Sequence, residues 1–385
     1  MNYRNVILCG DVLARLAEMP DESVHCCVTS PPYWGLRDYG TPGQLGLEAT
    51  PEQYIANMVA VFREVRRVLR KDGTLWLNMG DSYIGGGRGF READSSMQAT
   101  NYGSLLIAPT RGIAGLKPKD LVGQPWRVAF ALQADSWWLR SDIIWSKPNP
   151  MPESVTDRPT TAHEHLFLLA KSERYYYDQD AIREPLTAGS AERYAYTFGG
   201  AKHSHQRADD QSFYANRTRP VGELAMPAGR NKRTVWEIAT EPFPEAHFAT
   251  FPTELVKPCI LAGTSEHGCC AECGAPWVRV VEREFHPQED VAHSQALYKA
   301  VNGVDPSSGW GGVPRGSIVS HTTGWRPSCK HEAPTQPCLV LDPFMGSGTT
   351  ALVAARVGRD YVGIELNPDY VEMARERVGS QGRLL

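Results

Sequence analysis

The stretch "LDPFMGSGTT", residues 341–350, restricts the fold of this chain more than any other part of its sequence. An apolar run ends at Asp342, a loop with two glycines follows, and a helical pattern, "ALVAARVG", begins directly after it. A second strand pattern, "DYVGIEL", and a second helical pattern, "NPDYVEMARERV", come next. Such alternation is typical of a parallel sheet with helices packed on its faces. The sequence therefore predicts an α/β fold.

The loop after Asp342 predicts a ligand site. Gly346 and Gly348 let the backbone approach a ligand, and the following helix N-terminus favours a carboxylate or phosphate. The phosphate-binding pattern GxxxxGK[ST] is absent because no lysine follows the glycines, and GxGxxG is absent because its third glycine is replaced. Glu365, at the end of the next strand, stands where an acid binds ribose hydroxyls. These features favour an adenosyl ligand with an amino-acid tail.

Near the N-terminus, the apolar run "SVHCCV" ends in "TSPPYW", residues 29–34. This stretch and "DPFMGSGTT" resemble the catalytic and S-adenosylmethionine motifs of DNA amino-methyltransferases that act on cytosine N4 or adenine N6. The catalytic motif comes first, as in the permuted β class of that family. The blocks "GTLWLNMGDSY", "LRSDIIWSKPNPMPES", "HEHLFLLAKSERYYYD" and "HFATFPTELVKPCI" also resemble family blocks in the expected order. The chain departs from the family in the length of residues 178–235 and in an insertion at 264–337.

The resemblance implies a doubly wound, mostly parallel, Rossmann-like methyltransferase sheet that is circularly permuted and covered by helices on both faces. The last helix would lead into a third strand, and "NVILCGD" at the N-terminus can supply it, which would bring Gly10 and Asp11 to the adenine. The implied cofactor is S-adenosyl-L-methionine. The cofactor-binding residues that the resemblance implies are Asp11, Asp342, Pro343, Phe344, Gly346, Ser347, Gly348, Thr349, Thr350, Glu365 and Asn367.

The catalytic residues that the resemblance implies are Ser30, Pro31, Pro32 and Tyr33. The lone pair of an exocyclic base amine is conjugated with the ring, so the amine is a poor nucleophile. Ser30 Oγ and the Pro31 carbonyl can accept hydrogen bonds from its two N–H groups, and these bonds favour a pyramidal nitrogen. Tyr33 can stack on a base that is flipped out of the duplex. Taken alone, "SPPY" also fits an ordinary proline turn.

The target base stays open between two assignments. Serine opens the tetrad, which in the family is more typical of cytosine-N4 than of adenine-N6 enzymes, so cytosine N4 is favoured. A C5-cytosine methyltransferase needs a nucleophilic cysteine after proline, but Cys259 and Cys338 read as core positions. Rival functions are amino-methylation of RNA or protein glutamine, and a non-catalytic zinc-bearing DNA-binding module. The pairing of the two motifs argues against the last of these.

The sequence divides into several predicted parts. They are a catalytic half over 1–177, a target-recognition region over 178–235, a cofactor-binding half over 236–263 and 338–385, and a zinc-ribbon-like insertion over 264–337. From residue 188 to 236, eight Lys/Arg stand against four Asp/Glu, with tyrosines and phenylalanines between them. This composition suits a nucleic-acid face, although a solvated loop can share it. Residues 83–124 are rich in glycine, serine and arginine and predict a substrate-side loop.

Cysteines in the insertion predict a structural zinc site. The predicted ligands are Cys270, Cys273, Cys329 and His331. The first two form a CxxC pair, and the others complete a tetrahedral Cys3His set. The long loop between the pairs adds little closure cost, since that cost grows slowly with length. Cys269 or His267 could replace a ligand, and a redox pair or free thiols are the alternatives. The predicted role of the zinc is to staple the insertion beside the DNA.

Composition limits the partners and the compartment. A net charge of −4 and a pI of about 6.3 exclude a strongly basic chain, so DNA contact requires a local basic surface. Nine cysteines, without a signal peptide or an apolar span of membrane length, predict a cytoplasmic protein with reduced thiols. The expected partner is double-stranded DNA, with no membrane contact. A homodimer and a cognate restriction endonuclease are partners that the sequence leaves open.

Overall fold

The computed structural model describes residues 3–36, 38–84, 115–185, 230–241, 251–287 and 316–381. Its strands are β1 (Val6–Cys9), β2 (Val24–Thr29), β3 (Leu69–Met79), β4 (Trp138–Ser146), β5 (His163–Ala170), β6 (Val235–Glu237), β7 (Cys269–Cys270), β8 (Trp277–Pro287), β9 (Gly316–Pro327), β10 (Thr335–Gln336), β11 (Leu339–Asp342) and β12 (Asp360–Glu365). Its helices are α1 (Val12–Ala17), α2 (Pro51–Val68), α3 (Gln124–Ala134), α4 (Thr253–Gly263), α5 (Thr349–Arg356) and α6 (Pro368–Gln381).

Eight strands of the described residues form one sheet in the order β1-β12-β11-β2-β3-β5-β4-β6. The strands β1, β12, β11, β2 and β3 are parallel to one another, whereas β5 is antiparallel to both of its neighbours. The short strand β6 adds to the far edge, parallel to β4. The prediction of a mostly parallel sheet of the methyltransferase type is confirmed.

The N-terminal strand completes the sheet beside the C-terminal strands. β1 pairs in parallel with β12, from Val6 opposite Val362 to Cys9 opposite Glu365. This is the place that an unpermuted chain would fill with a strand after α6. The predicted permuted arrangement is therefore present in the fold.

Helices cover both faces of the large sheet. One core cluster joins α1, α2 and α3 to the first face through buried side chains such as Leu16, Phe62 and Leu132. A second cluster joins α4 and α5 to the opposite face and includes Trp76 and Ile260. Side chains alternate along a strand, so on β3 Leu75 and Leu77 belong to the first cluster and Trp76 to the second. The helix α6 packs on α5 and β1.

Local signals fix the start of α2. Thr50 is extended, its Oγ1 accepts from the Gln53 N–H at 3.3 Å, and Pro51 occupies the first turn, which is the usual pattern of residues at a helix start. Asp72-Gly73 is a pair that commonly ends a helix, but this helix ends earlier, at Val68. The next residue, Leu69, is extended and already pairs with β2, so the sheet register ends the helix early.

The chain divides into two compact units. The first, Met1–Ile182, Arg233–Val278 and Pro327–Leu385, carries the large sheet, and the second is Arg183–Lys232 with Arg279–Arg326. Residues 264–278 and 327–337 thus belong to the first unit, so the predicted insertion boundaries differ from the unit limits. Residues 85–114 and 186–229, within the predicted loop and recognition region, lie outside the described residues. None of the described helices is both long and apolar enough to cross a membrane.

Candidate active site

The two polar stretches singled out in the sequence meet at one edge of the sheet. Ser30 follows the last residue of β2, and the glycine loop follows the last residue of β11. These strands are adjacent and parallel, so both stretches leave the carboxyl edge, where open α/β sheets bind ligands. The Thr29 hydroxyl donates to Asp342 Oδ1 at 2.6 Å and joins the two strand ends.

The carboxyl group of Asp342 is enclosed by the protein. Oδ1 also accepts from the Phe344 N–H at 3.0 Å, Oδ2 accepts from Thr350 Oγ1 at 2.8 Å, and the residue has no exposed surface. Burial raises its pKa to about 6, against the opposing effect of hydrogen bonds from Thr29 and Thr350. The family resemblance implies that this carboxyl contacts the cofactor. In the structure it joins β11, β2 and α5.

The two glycines of the loop have different surroundings. Both have positive φ, +50° at Gly346 and +84° at Gly348. A Cβ on Gly348 would lie 2.8 Å from the Cβ of Ala374 on α6, so packing alone demands glycine there. A Cβ on Gly346 would meet no atom within 4 Å. The space beside Gly346 is therefore open, as a ligand cradle requires.

The hydroxyl groups of the loop are bonded inside the protein. Arg377 Nη1 of α6 donates to Ser347 Oγ at 3.0 Å and to Thr349 Oγ1 at 2.9 Å. Thr350 Oγ1 donates to Asp342 and also lies 3.2 Å from a carbonyl of β2. All three hydroxyl residues are buried, so they hold the loop against α6 and the sheet.

Glu365 closes the other side of the cradle. Its Oε2 accepts from the Gly346 N–H and its Oε1 from the Asn367 N–H, both at 2.8 Å. Burial raises the pKa of Glu365, and these backbone donors oppose the shift. The Gly10 N–H donates to the Glu365 carbonyl at 2.8 Å, which brings the exposed Asp11 to the same edge. Of the remaining predicted cofactor residues, Pro343 is buried and Phe344 is partly exposed.

The hydroxyl of Tyr33 lies at the centre of a hydrogen-bond chain beside Ser30. Ser30 Oγ donates to Tyr33 Oη at 3.0 Å, and Tyr33 Oη donates to Glu164 Oε2 at 2.7 Å. Burial, and then the Glu164 carboxylate, raise the pKa of Tyr33 well above its usual value, so the phenol keeps its proton at neutral pH. Asn78 Nδ2 donates to the same Glu164 oxygen at 3.1 Å, and the Lys147 ammonium group pairs with the other oxygen.

One face of four neighbouring strands turns polar at this edge. Toward this edge, the last apolar residues that the four strands contribute to that face are Val28, Trp76, Trp145 and Leu166. Two positions further toward the edge, the same face carries Ser30, Asn78, Lys147 and Glu164. The sequence motif identifies only the first of these four. Period-two alternation read across β2, β3, β4 and β5 is the signal that could have identified the others.

The backbone around the prolines is held by aromatic side chains. Tyr54 Oη donates to the Pro32 carbonyl at 2.9 Å, and the buried Trp34 donates through Nε1 to the Glu48 carbonyl at 2.8 Å. Among the hydrogen bonds of the described residues, none uses the Pro31 carbonyl. That carbonyl is therefore available as the second predicted acceptor.

The sequence of this chain is similar to those of known DNA methylases. A family model for DNA methylases matches residues 24–271 and 337–376. The type II methyltransferase M.Cfr9I of Citrobacter freundii is 40% identical over 369 residues, which cover 96% of this chain and 86% of the relative. M.XycI of Xanthomonas campestris pv. cyanopsidis is 40% identical over 372 residues, which cover 97% and 87%. This chain belongs to the DNA methylase family.

The resemblance to DNA amino-methyltransferases is thereby confirmed. The protein is a DNA methyltransferase, and S-adenosylmethionine is the methyl donor that this assignment implies. A solved structure described as PvuII DNA methyltransferase (cytosine-N4-specific) matches with a TM-score of 0.51 at 15% identity, over 96% of this chain and 85% of its own. At this identity the likeness concerns the fold, and it agrees with the observed sheet.

This methyltransferase also brings its predicted metal ligands together. They are Cys270, Cys273, Cys329 and His331, whose ligand atoms all lie within 4.8 Å of one another. Antiparallel pairing of β7 with β10 places Cys270 opposite Thr335 and so joins the two halves of the cluster. The Gly274 N–H donates to the Cys270 carbonyl at 2.8 Å and closes the CxxC turn. The side chains form a Cys3His set.

The two alternative ligands lie outside this cluster. Cys269 instead neighbours His25 and Cys338 in a second, buried group. His25 Nδ1 accepts a backbone N–H of β11 at 3.0 Å, and its Nε2 lies 2.9 Å from a backbone carbonyl of the CxxC turn. Both ring nitrogens of His25 are thus engaged, which disfavours metal binding by that group. The His267 ring packs on an indole of β8, with ring centres 4.4 Å apart.

Proposed function

We propose that this enzyme transfers a methyl group from S-adenosylmethionine to the exocyclic amine of a base flipped out of duplex DNA, with cytosine N4 as the favoured target. The observation that carries the proposal is the adjacency of Ser30 and the Gly346 loop at the ends of neighbouring parallel strands, joined through Thr29 and Asp342. An amine acceptor and a cofactor cradle at one edge suit direct transfer, in which positioning supplies much of the catalysis.

The residues around Gly346 fit the cofactor. The open space beside its Cα admits a ligand against the backbone, and the N-terminus of α5 follows directly. Glu365 presents a partly exposed carboxylate for ribose hydroxyls, and Asp11 lies at the same edge for the adenine. When bound there, S-adenosylmethionine supplies an electrophilic methyl group on a sulfonium. The buried Asp342 holds the loop in place and lies behind this surface.

Ser30 Oγ and the Pro31 carbonyl are the acceptors that we assign to the target amine. Because these acceptors are already in position, they stabilise the positive charge that develops on the nitrogen, and they do not have to reorganise during the reaction. Tyr33 stays a candidate for stacking on the flipped base, and its hydroxyl already has partners in the protein. Serine, asparagine and aspartate can all accept from an amine, so the preference for cytosine N4 rests on the family pattern of a serine at this position.

Several partners are proposed from the sequence. The region 178–235, with its basic and aromatic composition, is assigned to target recognition, and its residues 186–229 lie outside the described residues. A homodimer, a cognate restriction endonuclease and a cytoplasmic location remain predictions. The relatives M.Cfr9I and M.XycI are named type II methyltransferases, which favours a partner endonuclease for this chain.

Labelled methyl transfer tests the function. Purified enzyme is incubated with methyl-labelled S-adenosylmethionine and duplex DNA, RNA or protein, and the nucleosides are identified by mass spectrometry. We expect N4-methylcytosine in duplex DNA. N6-methyladenine would change the base and keep the mechanism, whereas 5-methylcytosine, or label only in RNA or protein, would contradict the proposal. Ser30→Ala should lose about a hundredfold in rate while still binding the cofactor.

We also propose that Cys270, Cys273, Cys329 and His331 bind one structural zinc ion. Zn–S bonds of about 2.3 Å in a tetrahedron separate ligand atoms by roughly 3.8 Å, so a cluster within 4.8 Å needs little movement to close. His331 Nε2 lies 3.5 Å from a carboxylate oxygen of Glu272, the kind of partner that orients a metal-bound imidazole.

The surroundings of the CxxC turn favour a role in the fold. The Cys273 carbonyl accepts from Arg70 of β3, and the Gly274 carbonyl contacts His25 near the start of β2. Ser30 follows the opposite end of β2. The metal would therefore brace the edge of the sheet that is remote from the catalytic serine, which replaces the sequence-based idea of a staple beside the DNA.

Elemental analysis tests the metal. Protein purified without chelator should contain about one zinc per chain, since four protein ligands close a structural site. Cys273→Ser should lose most of that zinc, and Cys9→Ser, a partly exposed thiol outside the cluster, should keep it. Metal-free wild-type protein with freely titratable thiols would contradict the assignment.

A further inference from the structure

The hydrogen-bond chain beside Ser30 determines the direction of a hydroxyl group. A serine hydroxyl can donate or accept. To activate the target amine it must accept, and its own proton must therefore point to another partner. Ser30 Oγ has such a partner in Tyr33 Oη, 3.0 Å away. Because a phenol can also donate, the next member of the chain decides the direction.

Glu164 is the next member of the chain, and it determines the direction of the hydrogen bonds. Lys147 Nζ pairs with Glu164 Oε1, and Asn78 Nδ2 donates to Glu164 Oε2 at 3.1 Å. A carboxylate held by an ammonium group accepts and has no proton to give. Tyr33 Oη, 2.7 Å from Oε2, must therefore donate to Glu164. The lone pairs of Tyr33 are left to accept from Ser30.

The surroundings hold this direction. The Glu164 and Lys147 side chains are only 16% and 19% exposed, and the Lys147 ammonium lies 4.4 Å from the Trp145 ring centre. Asn78 Nδ2 also donates to the His165 carbonyl at 3.1 Å, which fixes the orientation of its amide. Low exposure strengthens charge-assisted hydrogen bonds, so the order of donors and acceptors is stable.

We propose that Glu164 is a positioning residue for methyl transfer, which acts through Tyr33 to make the Ser30 hydroxyl a fixed acceptor for the target amine. The inference rests on the amine methylation proposed above. Lys147 and Asn78 keep Glu164 in its accepting state and place. The chain contributes by orienting Ser30 before transfer and carries no proton itself: the amine nitrogen gains the methyl group as the methyl–sulfur bond of the donor breaks, and the methylated amine then releases its surplus proton to solvent.

Single-turnover methylation of duplex DNA tests the inference with Glu164→Gln and Tyr33→Phe. Glutamine keeps the size of Glu164 but offers N–H groups as well as an oxygen, and phenylalanine removes the link. We expect each rate to fall about tenfold or more, with cofactor and DNA dissociation constants within about twofold of wild type. The matched control is Glu64→Gln on α2, whose carboxylate pairs with Arg67 at 2.8 Å, and it should match wild type.

A double variant separates orientation from a structural effect. In a Ser30→Ala background no hydroxyl remains to be oriented, so Glu164→Gln should cause no further loss. A full additional loss in that background, an unchanged rate in Glu164→Gln alone, or a parallel fall in thermal stability and DNA affinity would overturn the proposal. An inactive wild-type enzyme would overturn the proposed function together with it. An active wild type with unaffected Glu164→Gln and Tyr33→Phe variants overturns this inference alone.

Discussion

Gly80 lies directly against the ring of Tyr33: a Cβ built on Gly80 would stand 2.7 Å from Tyr33 Cε2 and 3.1 Å from its Cδ2. Gly80 follows the last residue of β3, so the end of that strand packs against one side of the Tyr33 ring. Any larger residue at this point must displace the ring. The position of the Tyr33 hydroxyl therefore depends on the absence of a side chain on the neighbouring strand.

Gly80→Ala should impair catalysis while sparing the cofactor site. A displaced Tyr33 ring loses its contacts with Ser30 at 3.0 Å and Glu164 at 2.7 Å, so the methylation rate should fall about tenfold or more. Affinity for S-adenosylmethionine should stay unchanged, as calorimetry can show. The control Gly379→Ala, where a Cβ meets no atom within 4 Å, should leave both unaffected. A normal rate in Gly80→Ala would mean that the ring adapts freely.

Glu365→Gln should weaken cofactor binding. The carboxylate accepts two backbone N–H groups at 2.8 Å, and an amide cannot serve both without turning its own N–H groups toward one of them. We expect the dissociation constant for S-adenosylmethionine to rise about tenfold, which corresponds to a loss of about 1.4 kcal/mol. Titration calorimetry without DNA measures it. Glu372→Gln, at an exposed ion pair on α6, is the matched control; equal affinities in all three proteins would exclude Glu365 from the site.

Substitution by alanine should mainly lower stability at Gly348 and mainly lower cofactor affinity at Gly346. In Gly348→Ala the new Cβ would lie only 3.1 Å from the Ala374 Cα, and this overlap together with the positive φ should lower the free energy of unfolding by about 2–5 kcal/mol. Gly346→Ala has open space and should cost only about 1–2 kcal/mol for its positive φ, but should fill the cradle and reduce cofactor affinity. Denaturant unfolding and calorimetry measure the two effects. A larger affinity loss at Gly348 in a stably folded variant would contradict this division.

The raised pKa of Asp342 should make the stability of the folded protein depend on pH. Its pKa is raised to about 6 in the folded state from an ordinary value of 3.8, so the folded state binds its proton more tightly. The stability linked to this group is therefore fully present below about pH 4 and is lost as pH rises toward 6. Between pH 4.5 and 7.5, wild type should lose about 2 kcal/mol relative to Asp342→Asn. Parallel stability curves for the two proteins would show that the carboxyl is not shifted.

Much of the fold could be predicted because its signals are local. The loop after Asp342, the capped start of α2 at Thr50 and the place of β1 all follow from short patterns and their order along the chain. The helix α3 carries weaker signals. It begins after Gly123, which has a φ of +69° and no capping side chain, and it follows a glycine-rich stretch. Its buried face becomes evident only once the sheet that it covers is known.

The orientation of side chains within the site could not be predicted from the motif. Ser347 and Thr349 are bonded to Arg377, which another helix supplies, so their direction depends on tertiary packing. Glu164 lies on β5 and Lys147 directly follows β4, and these two strands become neighbours only through the sheet order. A motif specifies which residues arrive at an edge. The partners that select each side chain's direction come from elements distant in sequence.

The position of β11 has a consequence for the synthesis of the chain. This strand lies in the interior of the sheet, between β12 and β2, yet it comes after most of the other strands in sequence. At about 5–20 residues per second, a ribosome needs roughly 15–60 s to proceed from Ser30 to Leu339. Throughout that interval β2 lacks its native neighbour β11 on one edge, and β1 lacks β12, the strand with which it pairs. The sheet therefore closes around β2 only when synthesis is almost finished, and a product terminated before β11 cannot bring the glycine loop beside Ser30.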